Sequence, residues 1–361
     1  METALREFFA GQPEVMEWGV ASLEKPLPNA ANLQAWVGQG FHAGLPYMEN
    51  RLEERSSPTL LFPWARNAVL FAMRQPAPFG SDTGDFRVAS YALGEDYHLA
   101  ARRILKAAQV HLTRALAPEE IRFEGFSDTW PVFERDLGAE AGLGWRGKNA
   151  CLIHRRHGSG FLLAGFFTDL DLNVPATPAQ DFCGGCTACL DACPTDALFE
   201  PGRLDASKCL SYWTIEAKGD IPADISEKSE AWIFGCDICQ DVCPWNRKHK
   251  KDAPPDPAEN RPRTALEWLS LLRRGGGFQS RFKNTPLLRA GRRSLLRNVL
   301  IALRHGRSEA RAAEKIGDLS DLSDLLDALS REEDDPIVLR ELRRTHEALA
   351  SSYLSAKNPT P

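Results

Sequence analysis

Apolar residues in the first half of the chain follow two rhythms. Continuous runs, NAVLFAM (67–73), ACLIH (150–154) and FLLAGFF (161–167), have the length and composition of buried strands. Between them, Ile104, Leu105, Ala108, Leu112 and Leu116 recur at helical spacing across 97–116. Strand-like runs alternating with a helical pattern predict a layered α/β domain with crossover connections over residues 1–175. From 176 to about 250, Pro, Gly and Cys are too dense for a conventional core, so bound chemistry must organise that stretch. After a polar, Pro-containing linker (248–262) the pattern is helical again: Leu295, Leu296, Val299, Leu300 and Leu303 share one face, and DPIVLRELRRTHEAL begins at Asp335. Residues 260–361 thus hint at stacked helical pairs.

A length of 361 residues suits two or three domains, and 43% hydrophobic with 26% charged residues is ordinary for a globular protein. The longest apolar stretch, 161–167, is far short of the ~18 residues that span a bilayer, so no membrane association is expected. The start, METALREFFAGQPE, has early acids and no basic-then-apolar order, so the expected address is the cytoplasm. The net charge of −5 hides an asymmetry, because residues 247–307 carry 16 Lys/Arg against 4 Asp/Glu. That segment is marked out for an anion.

In a reducing compartment nine cysteines call for metal or redox chemistry rather than disulfides. CGGCTACLDACP sets Cys183, Cys186, Cys189 and Cys193 in C-x2-C-x2-C-x3-C-P, the bacterial ferredoxin run, whose fourth cysteine ligates the other of two clusters. The second half, CDICQDVCP, supplies Cys236, Cys239 and Cys243 but lacks one cysteine, for which Cys209 is the substitute. Cluster one is then Cys183, Cys186, Cys189 and Cys243; cluster two is Cys193, Cys209, Cys236 and Cys239. Two structural zinc sites are the alternative, but zinc does not ask for the third close cysteine or the two Cys-Pro endings. Cys151, within an apolar run, reads as a small buried hydrophobe.

GLGWRGKN (142–149) imitates both a dinucleotide and a phosphate loop, yet a helical pattern precedes it and a strand follows, and Asn149 stands where a magnesium-binding hydroxyl would be needed. It reads instead as a tight helix-to-strand loop lining a site. His154 and His157, three apart on a strand, would face opposite sides and be solvated. Asp128 in SDTWPVFER could cap a helix or, in apolar company, act as an acid. Arg289, Arg293, Arg297 and Arg304 fall within a ~80° arc beside the apolar face of one helix, which reads as a phosphate-backbone contact surface.

The chain resembles the epoxyqueuosine reductases from about Arg55 to Ala302, through EERSSP, YALGEDYH, SDTWPVFER, AGLGWRGKN, CGGCTACLDACPTDAL, CLSYWTIEAKGDIP, GCDICQDVCPWN and TPLLRAGRRSLLRNVLIAL. Some of these motifs are shared with the reductive dehalogenases. The resemblance implies an α/β cobalamin-binding domain over 1–175, a ferredoxin-like domain with two 4Fe-4S clusters over 176–250 and an all-α HEAT-like tRNA-binding domain over 260–361. It implies a monomer that reduces epoxyqueuosine to queuosine at the tRNA wobble position, fed by an external electron donor. It also implies that Asp128 is the proton donor, that Arg55, Asp128, Leu152, Leu163, Ser211, Lys218 and Asp237 lie near the corrin or substrate, and that Arg289, Arg293 and Arg297 meet tRNA. Trp130 departs from the small residue expected there. Burial among Trp130, Pro131, Val132 and Phe133 is expected to desolvate Asp128 and raise its pKa. A dehalogenase-like reductase of a small organic substrate and a non-catalytic electron-transfer module are the competing readings.

Overall fold

The structure, a computed structural model, describes residues 1–128, 130–172, 179–247, 261–305 and 319–357; most of the expected linker, 248–262, lies outside them. Packing groups the chain into two units. One comprises Met1–Phe79, Gly94–Ser207 and Ile238–Pro255, the other Gly80–Leu93, Lys208–Asp237 and Asp256–Pro361.

In the first unit the runs NAVLFAM and FLLAGFF become strands of one sheet, whereas ACLIH gives only Leu152–Ile153 in a separate hairpin; the sheet comprises β1 (Val15–Ser22), β2 (Asn67–Arg74), β3 (Phe123–Phe126) and β4 (Phe161–Thr168), in the order β1-β2-β4-β3. Every neighbouring pair is antiparallel, with Val20 opposite Val69, Val69 opposite Phe166, and Phe126 opposite Gly165. Helices α1 (Glu2–Ala10) and α2 (Tyr97–Ala115) cover one face, where Leu5, Phe8, Phe9, Ile104 and Leu112 pack on Val69, Phe71 and Phe166. Helix α3 (Glu134–Glu140) covers the other, where Leu137 joins Leu70, Phe126, Leu152 and Phe167. Coverage on both faces is why β2 and β4 read as unbroken apolar runs. Burying a side chain such as Phe71 or Phe167 contributes about 2 kcal/mol.

The expected crossover exists in altered form. β2 and β3 run in the same direction through α2, but β4 slots antiparallel between them, so no two adjacent strands of this sheet are parallel. Gly165 permits that insertion, since a Cβ there would come within 2.6 Å of the Val69 carbonyl. Asp96 starts α2 by accepting the His98 N–H at 3.0 Å.

The second unit is largely helical: α4 (Ala265–Leu272), α5 (Gly291–His305), α6 (Leu319–Glu332) and α7 (Pro336–Lys357). Thr264 and Glu267 form a capping box at the start of α4. Asp335 accepts the N–H groups of Ile337 and Val338 at the start of α7, with Pro336 at the first helical position. Helix α5 is the central member, and its expected apolar face, Leu295, Leu296, Val299, Leu300 and Leu303, is buried. A short strand, Trp232–Phe234, pairs in parallel with Arg87–Val88. Among the described residues, no helix is long and apolar enough to cross a membrane.

Candidate functional site

None of the nine cysteines, all among the described residues, is joined in a disulfide. In the first unit the short helical turns Ala188–Asp191 and Ile238–Asp241 pack together, which brings the two cysteine motifs side by side. Cys183 and Cys243 share an apolar cluster with Trp145, Ile153 and Trp245. Burial, followed by the nearby Cys243 and Cys183, pushes the Cys189 thiol up. Burial does the same for Cys243, with Cys183 and Cys186 adding to it. Cys243 is therefore within electrostatic reach of Cys183, Cys186 and Cys189, 54–60 residues earlier in the chain, and these four expected ligands are a soft all-thiolate set that suits a 4Fe-4S cubane. Cys193 lies 3.8 Å from the Thr195 hydroxyl. Cys209 and Cys236 belong to the second unit, whereas Cys193 and Cys239 belong to the first.

The GLGWRGKN loop is the expected helix-to-strand turn, running from α3 into a hairpin that pairs Trp145 with Ile153 and Arg146 with Leu152. It abuts the cysteine loops. Trp145 Nε1 donates to Cys183 Sγ at 3.5 Å, Lys148 Nζ donates to the carbonyls of Gly184 (2.6 Å) and Cys186 (2.9 Å), and Asn149 Nδ2 donates to the Cys239 carbonyl at 3.5 Å. Cys151 is half-buried in this turn and not within a strand, because the strand here is only Leu152–Ile153.

Beyond the end of β3, Asp128 adopts a left-handed backbone (φ 55°), and its Oδ2 accepts the Tyr97 hydroxyl at 3.0 Å. Arg55, whose guanidinium donates to the carbonyls of Tyr47 (2.6 Å) and Asn50 (3.3 Å), lies within the electrostatic reach of Asp128. Burial outweighs that attraction and lowers the Arg55 pKa. Leu152 and Leu163 both face Gly138 of α3, and Ser127 Oγ donates to the Leu163 carbonyl at 3.4 Å. Arg55, Asp128, Leu152 and Leu163 are thus brought into one region of the first unit.

Two expectations about Asp128 are corrected. It is exposed, because Trp130 and Phe133 turn into the core, Trp130 packing edge-on against Phe62 at 5.2 Å. Nor does it cap α3, whose N-cap is Phe133. The carboxyl buried at this point belongs to Glu134, which accepts the Asp128 backbone N–H; part of the residue stays accessible while the carboxyl end is enclosed. Burial raises Glu134 to about 8, the neighbouring Asp128 charge adding to it and the Asp128 hydrogen bond opposing it. Glu134, Tyr97 and Trp145 were not singled out from sequence, and Lys148 was read there only as the end of an imitated phosphate loop. Glu134 stands six residues after Asp128 in SDTWPVFER, and nothing in that spacing marks it.

In the second unit Ser211 is half-buried and precedes a π-helical turn, Tyr212–Glu216. Lys218 Nζ donates to the carbonyls of Ile215 (3.1 Å), Arg289 (3.3 Å) and Ala290 (2.9 Å), and burial lowers its pKa. Asp237 is 4% exposed and accepts both the backbone N–H and the hydroxyl of Ser90 at 2.7 Å.

The arginine arc divides. Arg297 is 1% exposed and donates to the carbonyls of Trp213 (2.7 Å), Ala217 (3.0 Å) and Gly219 and to Asn298 Oδ1, so it is an internal clamp and not a surface for phosphates. Burial lowers its pKa to about 10. Arg304 is likewise internal, paired with Glu341 at 2.5 Å. The arc beside the apolar face is where the 213–219 segment and α7 pack, which is why half of it points inward. Arg289, paired with Glu216 at 2.7 Å, and Arg293, near Asp334 and Asp335, keep accessible side chains.

His154 and His157 do not face opposite ways. The chain turns between them, with mutual backbone hydrogen bonds joining His154 and Gly158, so the half-buried rings stack at 4.7 Å and 16°. Burial, then His157, lowers His154 to about 4. Glu17 completes the one His/Cys/Asp/Glu group, among the described residues, whose ligand atoms all lie within 4.8 Å of one another, the spacing of a single ion. Parallel ring planes keep the two lone-pair directions from converging, and Arg156 already holds the Glu17 carboxylate while its N–H donates to His154 Nδ1. That group fits an ion-pair network better than a metal.

Two family profiles match the chain, one described as "Epoxyqueuosine reductase QueG, DUF1730" over 55–129 and one as "4Fe-4S double cluster binding domain" over 182–246. Among curated relatives, the epoxyqueuosine reductase of Cyclobacterium marinum is 40% identical over 240 residues, 65% of this chain and 77% of that protein. The epoxyqueuosine reductase of Leadbetterella byssophila is 36% identical over 283 residues, covering 78% and 91%. A crystal structure of an epoxyqueuosine reductase with an epoxyqueuosine-modified tRNA-Tyr stem loop superposes with a TM-score of 0.75 at 27% identity, covering 97% of this chain and 98% of that one.

Proposed function

The chain belongs to the epoxyqueuosine reductase family, and from that premise we propose that it reduces epoxyqueuosine to queuosine in the wobble position of tRNA, removing the epoxide oxygen as water with two electrons and two protons. The observation that carries this reading is the coincidence, within the first unit, of two cysteine-bearing turns packed side by side and an exposed, hydrogen-bonded carboxyl at Asp128. The double-cluster profile over 182–246 spans all eight motif cysteines, which supports cluster one at Cys183, Cys186, Cys189 and Cys243 and cluster two at Cys193, Cys209, Cys236 and Cys239.

Cobalamin is part of this proposal. In the first unit the lining suits a large amphipathic ring: Leu163 offers partly exposed apolar surface over the buried Leu152, with the Arg55 cation and the Asp128 carboxyl in the same region. Lys218 and Asp237 have polar partners within their own unit, so the reading leans on the first-unit residues. When bound, cobalamin supplies the reductive cleavage of the carbon–oxygen bond, using electrons that the clusters deliver singly.

Asp128 provides a proton to the departing oxygen. A substrate covering this exposed carboxyl excludes water from it, so the proton passes to the departing oxygen and not to solvent. Tyr97 fixes Oδ2 through its hydroxyl, and Glu134 holds the Asp128 backbone in its left-handed turn. Arg289 and Arg293, accessible on the helical unit, are the candidate phosphate contacts. The three-part layout of 1–175, 176–250 and 260–361, a cytoplasmic monomer and an external electron donor belong to the same proposal.

The deciding experiment incubates the anaerobically loaded protein with cobalamin, a low-potential reductant and epoxyqueuosine-containing tRNA, followed by mass spectrometry of the nucleosides. Epoxyqueuosine should lose one oxygen to give queuosine. Unchanged epoxyqueuosine with fully loaded protein would overturn the proposal.

A further inference from the structure

The loop Gly142–Asn149 imitates a nucleotide-binding loop yet spends its polar side chains on the cysteine motifs. Trp145 is 3% exposed and wedged between Trp245 (5.0 Å) and Phe182 (5.2 Å), both edge-on, so its indole N–H has little freedom to point elsewhere than at Cys183 Sγ. Lys148 places an ammonium group on the carbonyls of Gly184 and Cys186, between the first two cysteines of the run. The loop is itself held rigid: Gly147 N–H donates to the Cys151 carbonyl at 2.8 Å, the Lys148 carbonyl accepts Gly202 N–H at 2.9 Å, and a Cβ on Gly147 would lie 2.3 Å from Ile153 Cδ1. Gly184 and Gly185, by contrast, have nothing within 4 Å of a built Cβ, so the cysteine loop is free on its outer side and is held from the Lys148 side.

We propose that Trp145 and Lys148 set the reduction potential of cluster one, Trp145 by donating its indole N–H to the Cys183 sulfur and Lys148 by placing its positive charge against the Cys183–Cys186 loop. This rests on the reading that Cys183, Cys186, Cys189 and Cys243 hold a 4Fe-4S cubane. When the cubane accepts one electron, no covalent bond is made or broken and the indole keeps its proton. The added negative charge is spread over iron and sulfur, and a donor aimed at a ligand sulfur stabilises that state more than the oxidised one. Both residues therefore make cluster one easier to reduce. They are positioning residues, acting on the cluster through its ligands.

The test is a potentiometric titration followed by electron paramagnetic resonance on the anaerobically loaded full chain. The cluster-one signal is identified by its loss in Cys186→Ser. Trp145→Phe keeps an aromatic ring in the same packing and removes only the donor. At a fixed potential its reduced-to-oxidised ratio of cluster one should be about tenfold lower, equivalent to about 59 mV for a one-electron couple, with iron content and the other cluster's midpoint unchanged. Lys148→Met should lower the same midpoint, and it supplies an independent reading if Trp145→Phe loses iron. Midpoints that match wild type in both variants, at full iron content, would overturn the assignment. A Cys186→Ser protein that keeps every cluster signal of the wild type would instead show that the cysteine assignment itself is wrong, and the proposal would fall with it.

Discussion

Glu134→Gln isolates the buried carboxyl under the Asp128 turn. Burial raises Glu134 from 4.5 to about 8, so the folded protein retains a proton there that the unfolded chain releases near its ordinary value. The stability this group contributes is complete below about pH 4.5 and is lost as pH rises through about 8. Within that window each pH unit removes at most about 1.4 kcal/mol, giving a ceiling of about 4 kcal/mol between about pH 5 and about pH 8. Water reaching the ionised carboxylate reduces that figure, and about 2–3 kcal/mol is the expected loss. Glutamine keeps an oxygen able to accept the Asp128 N–H but does not titrate in this range. The difference in unfolding free energy, Gln variant minus wild type, should therefore grow by about 2–3 kcal/mol in favour of Gln over the same interval. Equilibrium urea denaturation at about pH 5, 6.5 and 8, followed by circular dichroism and fluorescence, reads it directly. Stability curves of the two proteins that run parallel with pH would refute the argument, because they would mean that the Glu134 carboxyl is not held neutral by burial.

Asp128→Asn should retain iron, cobalamin and tRNA affinity while turnover falls by roughly 10²- to 10⁴-fold in a single-turnover assay, as expected when a positioned proton donor is lost. Arg297→Met leaves the carbonyls of Trp213, Ala217 and Gly219 without their donor and should destabilise the second unit by about 3–5 kcal/mol in thermal or urea unfolding, with the salt dependence of tRNA binding unchanged. Arg289→Glu combined with Arg293→Glu should reduce the log-log salt slope of tRNA binding by about two, roughly one per phosphate contact, as measured by filter binding across a salt series. Anaerobic purification should yield about eight irons per chain by metal analysis, following from two four-cysteine cubanes, and Cys243→Ser should remove the cluster-one contribution alone.

The positions of strands and helices were legible wherever burial is periodic or continuous: β2 and β4 came from unbroken apolar runs, α2 from its 3.6-residue repeat, α5 from its leucine face. Strand direction was not, because a run such as FLLAGFF looks the same whether parallel or antiparallel neighbours flank it, and only helices on both faces explain its composition. The cysteine spacing by itself proposed four partners for cluster one, since ligand spacing reflects the geometry of the bound group and not that of the surrounding fold.

What the sequence determined by itself was therefore local chemistry: ligand type, helix and strand periodicity, and the family motifs that carry the reading of function. What only the tertiary structure decided was which side chains are enclosed. Asp128 sits in apolar company along the chain but is exposed in space, and the buried carboxyl is Glu134. Arg293 and Arg297 are one helical turn apart, yet one reaches solvent while the other is closed beneath the 213–219 segment. His154 and His157 were assigned to opposite faces by strand periodicity, until a turn stacked their rings. Burial and electrostatic environment are set by segments distant in sequence, and a pattern read along one element carries no information about which of those segments will close over it.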